Sequence, residues 1–190
     1  MTQRNWALLL LVCISCAFIS RARVSLAQDP EAAFKLPTSD GFMLDGKLRL
    51  PPGATSNQEE RVIILLHGSG PQSMDSDFTT ITKEGKKNLF FVETCDALST
   101  AGFAVLRYNK RSYQANLAIQ QDPSYRTSDQ YQAYAANPLD YFVSDAVDAV
   151  RYAESTFPNA DIYLFGHSQG TFIALQVAHQ MSQVRGGALG

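Results

Sequence analysis

Short apolar runs alternate along the chain with segments of helical periodicity. Three of the runs begin at Arg61, Phe103 and Asp161, with the sequences RVIILLH, FAVLRY and DIYLF. Each run is too short for a typical helix and is largely apolar at both even and odd positions, which is typical of central strands in a parallel sheet. The sequence therefore predicts three buried strands.

Segments with apolar residues three and four positions apart separate or follow these strands. The segment LFFVETCDALSTAG ends at Gly102, and glycine commonly ends a helix. Asn137 and Pro138 suit the N-cap and the first turn of a second helix, and TFIALQVAHQM from Thr171 predicts a third. The predicted apolar face of the second helix consists of Leu139, Val143, Ala146, Val150 and Ala153.

Two further short strands are predicted before the first buried run. The segment FKLPTSDGFMLDGKLRLP is broken by turn-forming residues at 39–41 and is followed by a second proline and a glycine at 52–53. The element order is then a hairpin followed by β, α, β, α, β, α. Such alternation predicts an α/β fold with a mostly parallel sheet and helices on both faces.

Residues 113–136 are rich in Tyr, Gln and Ala and have no clear period, so the sequence predicts an irregular connection. Its tyrosines would lie above the strand ends, where open α/β sheets bind ligands. They either line an acyl or aromatic pocket or belong to a solvated surface loop, and the loop is the interpretation we favour. These tyrosines are Tyr113, Tyr125, Tyr131 and Tyr134.

Residues 1–27 have the three-part layout of a secretory signal peptide. A basic start precedes the apolar stretch 6–19, and Ser25 and Ala27 occupy the small-residue positions before a cleavage site. The stretch is short for a membrane span, which needs about 20 apolar residues, although two arginines just after it are unfavourable for export. We expect a secreted or periplasmic protein without stable membrane association; an uncleaved membrane anchor and a buried helix are the alternatives.

Composition and charge by themselves select no partner, and a small molecule is the partner that we expect. Residues 28–190 have the length of one domain, and they carry about five more acidic than basic side chains. No basic stripe points to nucleic acid, and no Cys/His cluster, H-E-x-x-H or phosphate-binding loop points to a metal or an organic cofactor. Cys95 lies in a helical pattern with no second cysteine in this domain, so a buried packing role is expected.

The stretch Gly166-His167-Ser168-Gln169-Gly170 joins the third buried strand to the third helix. A G-x-S-x-G pattern in this context is a nucleophile elbow, whose turn exposes the serine hydroxyl above the sheet. The glycines let strand and helix approach each other, and the helix N-terminus points amides at a developing anion. The pattern predicts Ser168 as a catalytic nucleophile; a tight turn with a spare serine is the alternative.

A second motif, His67-Gly68-Ser69-Gly70, follows the first buried strand. In elbow hydrolases this loop supplies one backbone N–H of the oxyanion hole, and the residue after the nucleophile supplies the other. Here these would be the N–H groups of Ser69 and Gln169. The two glycines shape the predicted loop, and His67 would hold it by hydrogen bonds; an ordinary glycine turn is the alternative.

These motifs resemble the α/β-hydrolase superfamily, and most of all its secreted dienelactone-hydrolase and prolyl-oligopeptidase-like branch. The matching stretches VIILLHGSGPQ, ALSTAGFAVLRYNKRS, VSDAVDAVRYAES and IYLFGHSQGTFIAL fall within about residues 34–185, in the family's order. Related sequences usually carry Asp and Gly at the positions of Asn109 and Ser112. Arg111 matches the family's arginine, and the resemblance implies that it is a structural brace beneath the oxyanion loop.

The resemblance also implies a catalytic Asp or Glu and a catalytic His on later strands. After Ser168 the sequence has no acidic residue and one histidine, His179, about 16 Å along the same predicted helix and out of reach. His167 is not expected to act as the base, because neighbours on a tight turn point apart. Residues 28–190 are therefore interpreted as the N-terminal part of a hydrolase domain, with strand 161–165 left as a sheet edge.

Two functions are compatible with these features. The first is a serine hydrolase that cleaves carboxylic esters, or else peptide or thioester bonds, through an acyl-enzyme on Ser168, with its acid and its histidine beyond residue 190. The second is a truncated remnant that is catalytically incompetent because it lacks both residues. Acyltransferases and dehalogenase- or lyase-type elbow enzymes share the same fold. A reading frame that continues with a late Asp and His would favour the first function.

Overall fold

The computed structural model describes residues 31–54, 61–82 and 87–190, so the predicted signal peptide 1–27 lies outside the described residues. The strands are β1 (Glu31–Pro37), β2 (Met43–Arg49), β3 (Arg61–Leu66), β4 (Ala104–Tyr108), β5 (Asp161–Gly166) and β6 (Val184–Leu189). They form one sheet in the order β1-β2-β4-β3-β5-β6.

Five α-helices are present in the described part of the chain. They are α1 (Phe90–Thr100), α2 (Arg111–Gln121), α3 (Asp129–Ala136), α4 (Pro138–Thr156) and α5 (Gln169–Gln180). Short 3-10 turns lie at Thr79–Ile81 and Pro123–Thr127.

The sheet is antiparallel at one side and parallel elsewhere. Strands β1 and β2 form the predicted hairpin, and β2 pairs antiparallel with β4. The pairs β3–β4, β3–β5 and β5–β6 are parallel. The predicted hairpin, the three buried strands and the mostly parallel sheet are confirmed. Because β3, β4 and β5 run the same way, the loops that leave their carboxyl ends meet at one edge of the sheet.

Helices cover both faces of the sheet, as the alternation predicts. On one face, the even-numbered residues of β3, β4 and β5 pack against α4 and α5. On the other face, Ile63, Leu65 and Val105 pack against Phe91 and Cys95 of α1. Cys95 is buried, and burial raises the pKa of its thiol. The predicted packing role of this cysteine is therefore confirmed.

The segment 113–136 differs from the prediction, because most of it is helical. It contains all but the first two residues of α2, the 3-10 turn Pro123–Thr127 and α3. The described helices α2 and α3 bury few residues, among them Ala115 and Tyr134, so no continuous apolar stripe marks them in the sequence. Tyr134 instead packs edge-on against Tyr141 of α4, with ring centroids 5.9 Å apart.

The edge of the sheet also differs from the prediction. Strand β5 does not form an edge, because β6 pairs with it in parallel from Ile162 to Gly166. Glycines at 186 and 187 concealed β6 in the sequence, since glycine is depleted in strands. Gly187 lies so close to β5 that an added Cβ would be 2.7 Å from the Leu164 carbonyl oxygen. Glycine is unfavourable in strands in general, but here the absence of a side chain allows β6 to pair with β5.

Arg111 braces the structure, but its hydrogen bonds go to elements other than the loop 67–70, beneath which the brace was predicted. Its guanidinium donates to Asp145 of α4, and it also donates to Asp40 and Thr38 in the β1–β2 turn. The residue thus joins the hairpin to α4 at the start of α2. Among the described residues, no helix is both long enough and apolar enough to cross a membrane.

Candidate functional site

Ser168 occupies a strained turn between β5 and α5. Strand β5 ends at Gly166 and α5 begins at Gln169, which leaves two residues for the reversal. Ser168 has φ 53° and ψ −116°, a region that non-glycine residues rarely adopt. Its side chain is exposed, whereas the neighbouring Gly170 is buried. The turn therefore presents the hydroxyl above the carboxyl edge of the sheet.

Close contacts explain both glycines that flank the serine. A Cβ at Gly170 would lie 2.2 Å from the Leu66 carbonyl oxygen, and a Cβ at Gly166 would lie 2.5 Å from the Gly170 carbonyl oxygen. No side chain fits at either distance. The two glycines thus allow α5 to begin directly against the ends of β3 and β5.

The loop after β3 lies against this turn. A Cβ at Gly68 would be 3.3 Å from the Ser168 Cβ and 3.0 Å from the His167 Nδ1. Gly70 has φ +85°, in the left-handed region that favours glycine. The structure therefore brings the predicted loop residues 67–70 beside Ser168.

His67 holds the loop from beneath the site. Its Nε2 lies 2.5 Å from the Tyr108 carbonyl oxygen, and its Nδ1 lies 3.2 Å from the Ser76 hydroxyl. Burial lowers the pKa of His67 to about 4. Both ring nitrogens are engaged with structural partners, so the geometry agrees with the structural role predicted for this histidine.

Among the described residues, no acceptor is found for the backbone N–H groups of Ser69 and Gln169. Ser69 N makes no hydrogen bond within the described loops and turns. Gln169 is the first residue of α5, where an N–H has no partner inside the helix. The catalytic part of the prediction, that these two groups bind an oxyanion, stays a prediction.

Lys110 links the loop after β3 to the start of α5, and it was not among the site residues predicted from the sequence. Its Nζ donates to the Gly68 carbonyl oxygen at 2.6 Å and to the Gln169 Oε1 at 2.7 Å. The ammonium also lies 4.4 Å from the centre of the Phe142 ring. Burial lowers the pKa of Lys110 to about 8. The sequence offered one signal for this role. Lys110 comes two residues after the buried strand β4, and loops that follow parallel strands meet at the same edge of the sheet as the two motifs.

Asn109 also supports the loop. Its Oδ1 accepts from Met74 N at 2.8 Å, and its Nδ2 donates to Gln114 Oε1 at 2.8 Å. The asparagine at this position, where related sequences usually have Asp, therefore keeps an acceptor for the loop backbone. Its second bond ties the same loop to α2.

A cavity of about 310 Å³ opens beside the elbow. Such a volume lies at the lower end of the range for small-molecule sites. Of the four tyrosines considered in the sequence, Tyr131 and Tyr134 line the cavity, which supports the pocket alternative for these two. Its other lining groups include Lys110, together with residues from both motifs and from α4, namely Ser69, Gly70, Gln169 and Phe142.

No described residue forms a hydrogen bond with the Ser168 hydroxyl. His167 packs against the rings of Phe78 and Phe90, with centroid distances of 5.9 and 4.9 Å. His179 is exposed near the C-terminal end of α5. Across the described ranges, no group of three or more His, Cys, Asp or Glu side chains is arranged to hold a metal ion.

Comparison with known families and proteins gives matches to hydrolases. The family model described as Serine aminopeptidase, S33, matches residues 85–189, which is more than half of the chain. Esterase EstD from Thermotoga maritima is 27% identical over 137 residues. That match covers 72% of this chain and 27% of the esterase, so the chain spans about a quarter of this curated relative's length.

Solved esterase structures share the fold. A cold-adapted esterase from an Arctic intertidal metagenomic library superposes with a TM-score of 0.53 at 19% identity, covering 84% of this chain and 59% of that one. Est1E from Butyrivibrio proteoclasticus has a TM-score of 0.55 at 18% identity, covering 82% of this chain and 49% of its own. At these identities the likeness concerns the fold alone, an α/β-hydrolase fold.

Proposed function

Because the chain belongs to the Serine aminopeptidase, S33, family of α/β hydrolases, we propose that the full-length protein is a serine hydrolase that cleaves carboxylic esters through an acyl-enzyme on Ser168. One observation carries the proposal: an exposed serine with φ 53° lies between β5 and α5, directly beside the loop after β3. Holding a non-glycine residue in such a conformation costs about 1–3 kcal/mol, and strain of this kind is concentrated at functional sites.

The geometry supports a two-step acyl transfer. Attack of the Ser168 Oγ on the ester carbonyl carbon places a negative charge on the former carbonyl oxygen. The N–H groups of Ser69 and Gln169 would donate to this oxygen, and the N-terminus of α5 adds a favourable dipole. Collapse of the intermediate expels the alcohol and leaves the acyl group on Ser168, and water then releases the acid.

The serine proton requires a general base. We place a His and an Asp or Glu in a part of the full-length protein outside residues 1–190, in the triad order Ser, acid, His. His67 does not serve, because its two nitrogens are bound within the fold. The catalytically incompetent remnant is the alternative, and the similarity to esterases does not favour it.

The cavity beside the elbow supports a small ester as the substrate. Its aromatic wall of Tyr131, Tyr134 and Phe142 suits a small apolar acyl or alcohol group. The family description favours peptide bonds as a second candidate. Comparing p-nitrophenyl acetate with an aminoacyl p-nitroanilide distinguishes the two, and we expect faster turnover of the ester.

The nucleophile is tested with a fluorophosphonate probe on the full-length protein. We expect Ser168 to be labelled and Ser168→Ala to abolish labelling, with ester turnover reduced by several powers of ten. Ser155→Ala, on the exposed side of α4, is the matched control and should be labelled like the wild type. Labelling that survives Ser168→Ala would contradict the proposal.

Two finer assignments belong to the same proposal. We place the protein in the secreted dienelactone-hydrolase and prolyl-oligopeptidase-like branch on the strength of its motif sequences, including VIILLHGSGPQ. We also propose that residues 1–27 direct export, because a basic start, an apolar stretch and small residues at 25 and 27 occur in that order.

A further inference from the structure

Lys110 makes an unusual set of contacts for a lysine. Its side chain is almost fully buried, with 4% of the residue exposed. Its Nζ reaches one acceptor on the loop after β3 and one on the elbow, Gly68 O at 2.6 Å and Gln169 Oε1 at 2.7 Å. Its own backbone N–H donates to Gln72 O at 3.1 Å, which adds a second hold on the loop.

The first of these bonds acts on the peptide that carries a proposed oxyanion donor. The Gly68 carbonyl and the Ser69 N–H belong to the same planar peptide unit, and no cis peptide bond is found in the described residues. In a trans peptide the C=O and the N–H point in opposite directions. Because the Lys110 ammonium holds the Gly68 carbonyl oxygen, the Ser69 N–H of the same peptide points away from Lys110.

The same bond changes the strength of the donor. A cation at a carbonyl oxygen withdraws electron density from the peptide, and hydrogen-bonded chains polarise one another in this way. The Ser69 N–H therefore becomes a better donor while Lys110 is charged. The bond to Gln169 Oε1 holds the side chain of the residue that offers the second N–H.

We propose that Lys110 is a positioning residue for the oxyanion hole: its ammonium orients and polarises the Gly68–Ser69 peptide and fixes Gln169, so that both N–H groups serve one oxyanion. This inference rests on the proposed function of the same site. Lys110 does not itself contact the reacting atoms in this assignment. The ammonium group is already bound inside the protein by its two acceptors and by the Phe142 ring.

Burial makes this arrangement sensitive to alkaline pH. The pKa of Lys110 is lowered to about 8, so its charge is present below that pH and is lost as pH rises through it. The charged neighbours Arg111 and Asp145 bond to each other. Among the described residues, the ionisable groups that line the same two cavities as Lys110 are His67, Tyr108, Arg111, Tyr131, Tyr134 and Asp145.

A spectroscopic experiment tests the coupling independently of catalysis. In the full-length protein, a carbon-detected spectrum gives one carbonyl–nitrogen cross-peak for the Gly68–Ser69 peptide, without relying on the amide proton. We expect this cross-peak to shift with a midpoint near pH 8, and we expect the shift to disappear in Lys110→Met. A cross-peak that is constant between pH 7 and about 9.5, or that shifts equally in Lys110→Met, overturns the proposal.

Kinetics test the consequence for catalysis. We expect Lys110→Met to lower kcat for a p-nitrophenyl ester about 10- to 100-fold, less than the loss of an oxyanion donor itself, with little change in KM. Lys110→Arg keeps a charge above pH 8, so it should restore part of kcat and remove the alkaline decline. Lys35→Met, at an exposed residue of β1, is the matched control. Thermal melting selects folded variants, and Lys110→Gln replaces Lys110→Met if the latter does not fold.

The two proposals fail in different ways. Labelling that survives Ser168→Ala refutes the serine hydrolase and leaves the cross-peak titration unaffected. Ser168-dependent turnover that is unchanged in folded Lys110→Met, over the whole pH range, refutes the positioning role alone. An equal loss of kcat in Lys110→Met and Lys110→Arg, with no change in the pH profile, also refutes it. The shape of the side chain rather than its charge would then determine the effect.

Discussion

His67 is held neutral at the end of β3 by its surroundings. The ring is buried, and burial lowers its pKa from 6.5 to about 4. Between these two values the unfolded chain takes up a proton on this histidine and the folded protein does not. The contribution of His67 to stability is therefore present above pH 6.5 and is lost as pH falls towards 4.

This titration predicts a measurable pH dependence of stability. The wild type should lose about 3 kcal/mol of unfolding free energy through His67 as pH falls from 6.5 to 4. His67→Gln removes this contribution, so the difference in unfolding free energy between variant and wild type should narrow as pH falls. Urea denaturation at a series of pH values measures it. His179→Gln, at an exposed histidine, should retain the wild-type profile; a parallel offset for His67→Gln at every pH would contradict the assignment.

Arg111 is the point at which three elements are joined. It starts α2, and its guanidinium donates to Asp145 of α4 and to Asp40 in the β1–β2 turn. Arg111 and Asp145 are both about 2% exposed at their side chains. Removing one partner of a buried ion pair leaves an uncompensated charge, which costs about 3–5 kcal/mol.

We therefore expect Arg111→Met to lower the unfolding free energy by about 3–5 kcal/mol. Arg111→Lys should recover only part of this, because an ammonium cannot reproduce the forked contacts of a guanidinium. Arg185→Met is the matched control, since Arg185 of β6 pairs with Asp161 of β5 and both side chains are exposed. Such pairs contribute about 0–1 kcal/mol. Denaturation curves compare the three variants, and equal losses for Arg111→Met and Arg185→Met would contradict the brace.

At the scale of strands and helices, the sequence predicted the elements with a buried face better than the segments that connect them. The strands β3, β4 and β5 are short apolar runs and the helices α1, α4 and α5 have an apolar face, and both patterns follow directly from burial. Helices α2 and α3 bury few side chains, and β6 contains two glycines, so neither segment has a period that reveals it. Their conformations depend on neighbours that lie far away in the chain.

Within the described residues, β1 and β6 are the two edge strands of the sheet, and β6 lies at the parallel side. Among the described strands, β6 has the single partner β5, and most of its residues are exposed. Unpaired N–H and C=O groups on such a strand favour pairing with another chain. A polypeptide comprising residues 28–190 presents this edge together with the exposed Leu189.

We expect a polypeptide of residues 28–190 to be oligomeric or poorly soluble and to show no ester turnover above background. A lysine at a strand edge opposes pairing, so Leu189→Lys should shift its gel-filtration profile towards the monomer. Turnover should be absent because no described residue bonds to the Ser168 hydroxyl to accept its proton. A monodisperse monomer with Ser168-dependent hydrolysis of p-nitrophenyl acetate would refute this prediction.

Export is a second property of the whole protein. If residues 1–27 are cleaved as a signal peptide, the exported protein begins at Gln28. Mass spectrometry of the exported protein identifies this terminus directly. An intact Met1 on a soluble protein would contradict cleavage, and an intact Met1 in the membrane fraction would favour the anchor.

The sequence by itself determined the strand–elbow–helix order and the position of Ser168, because strand and helix periods and the G-x-S-x-G pattern are local. The tertiary structure alone decided how the two motifs are joined. Lys110 reaches Gly68 and Gln169, which are 42 and 59 positions away in the chain. The pairing of β6 with β5 and the cavity beside the elbow likewise depend on packing between distant segments. No local period encodes such contacts, since they exist only once the strand ends meet at one edge of the sheet.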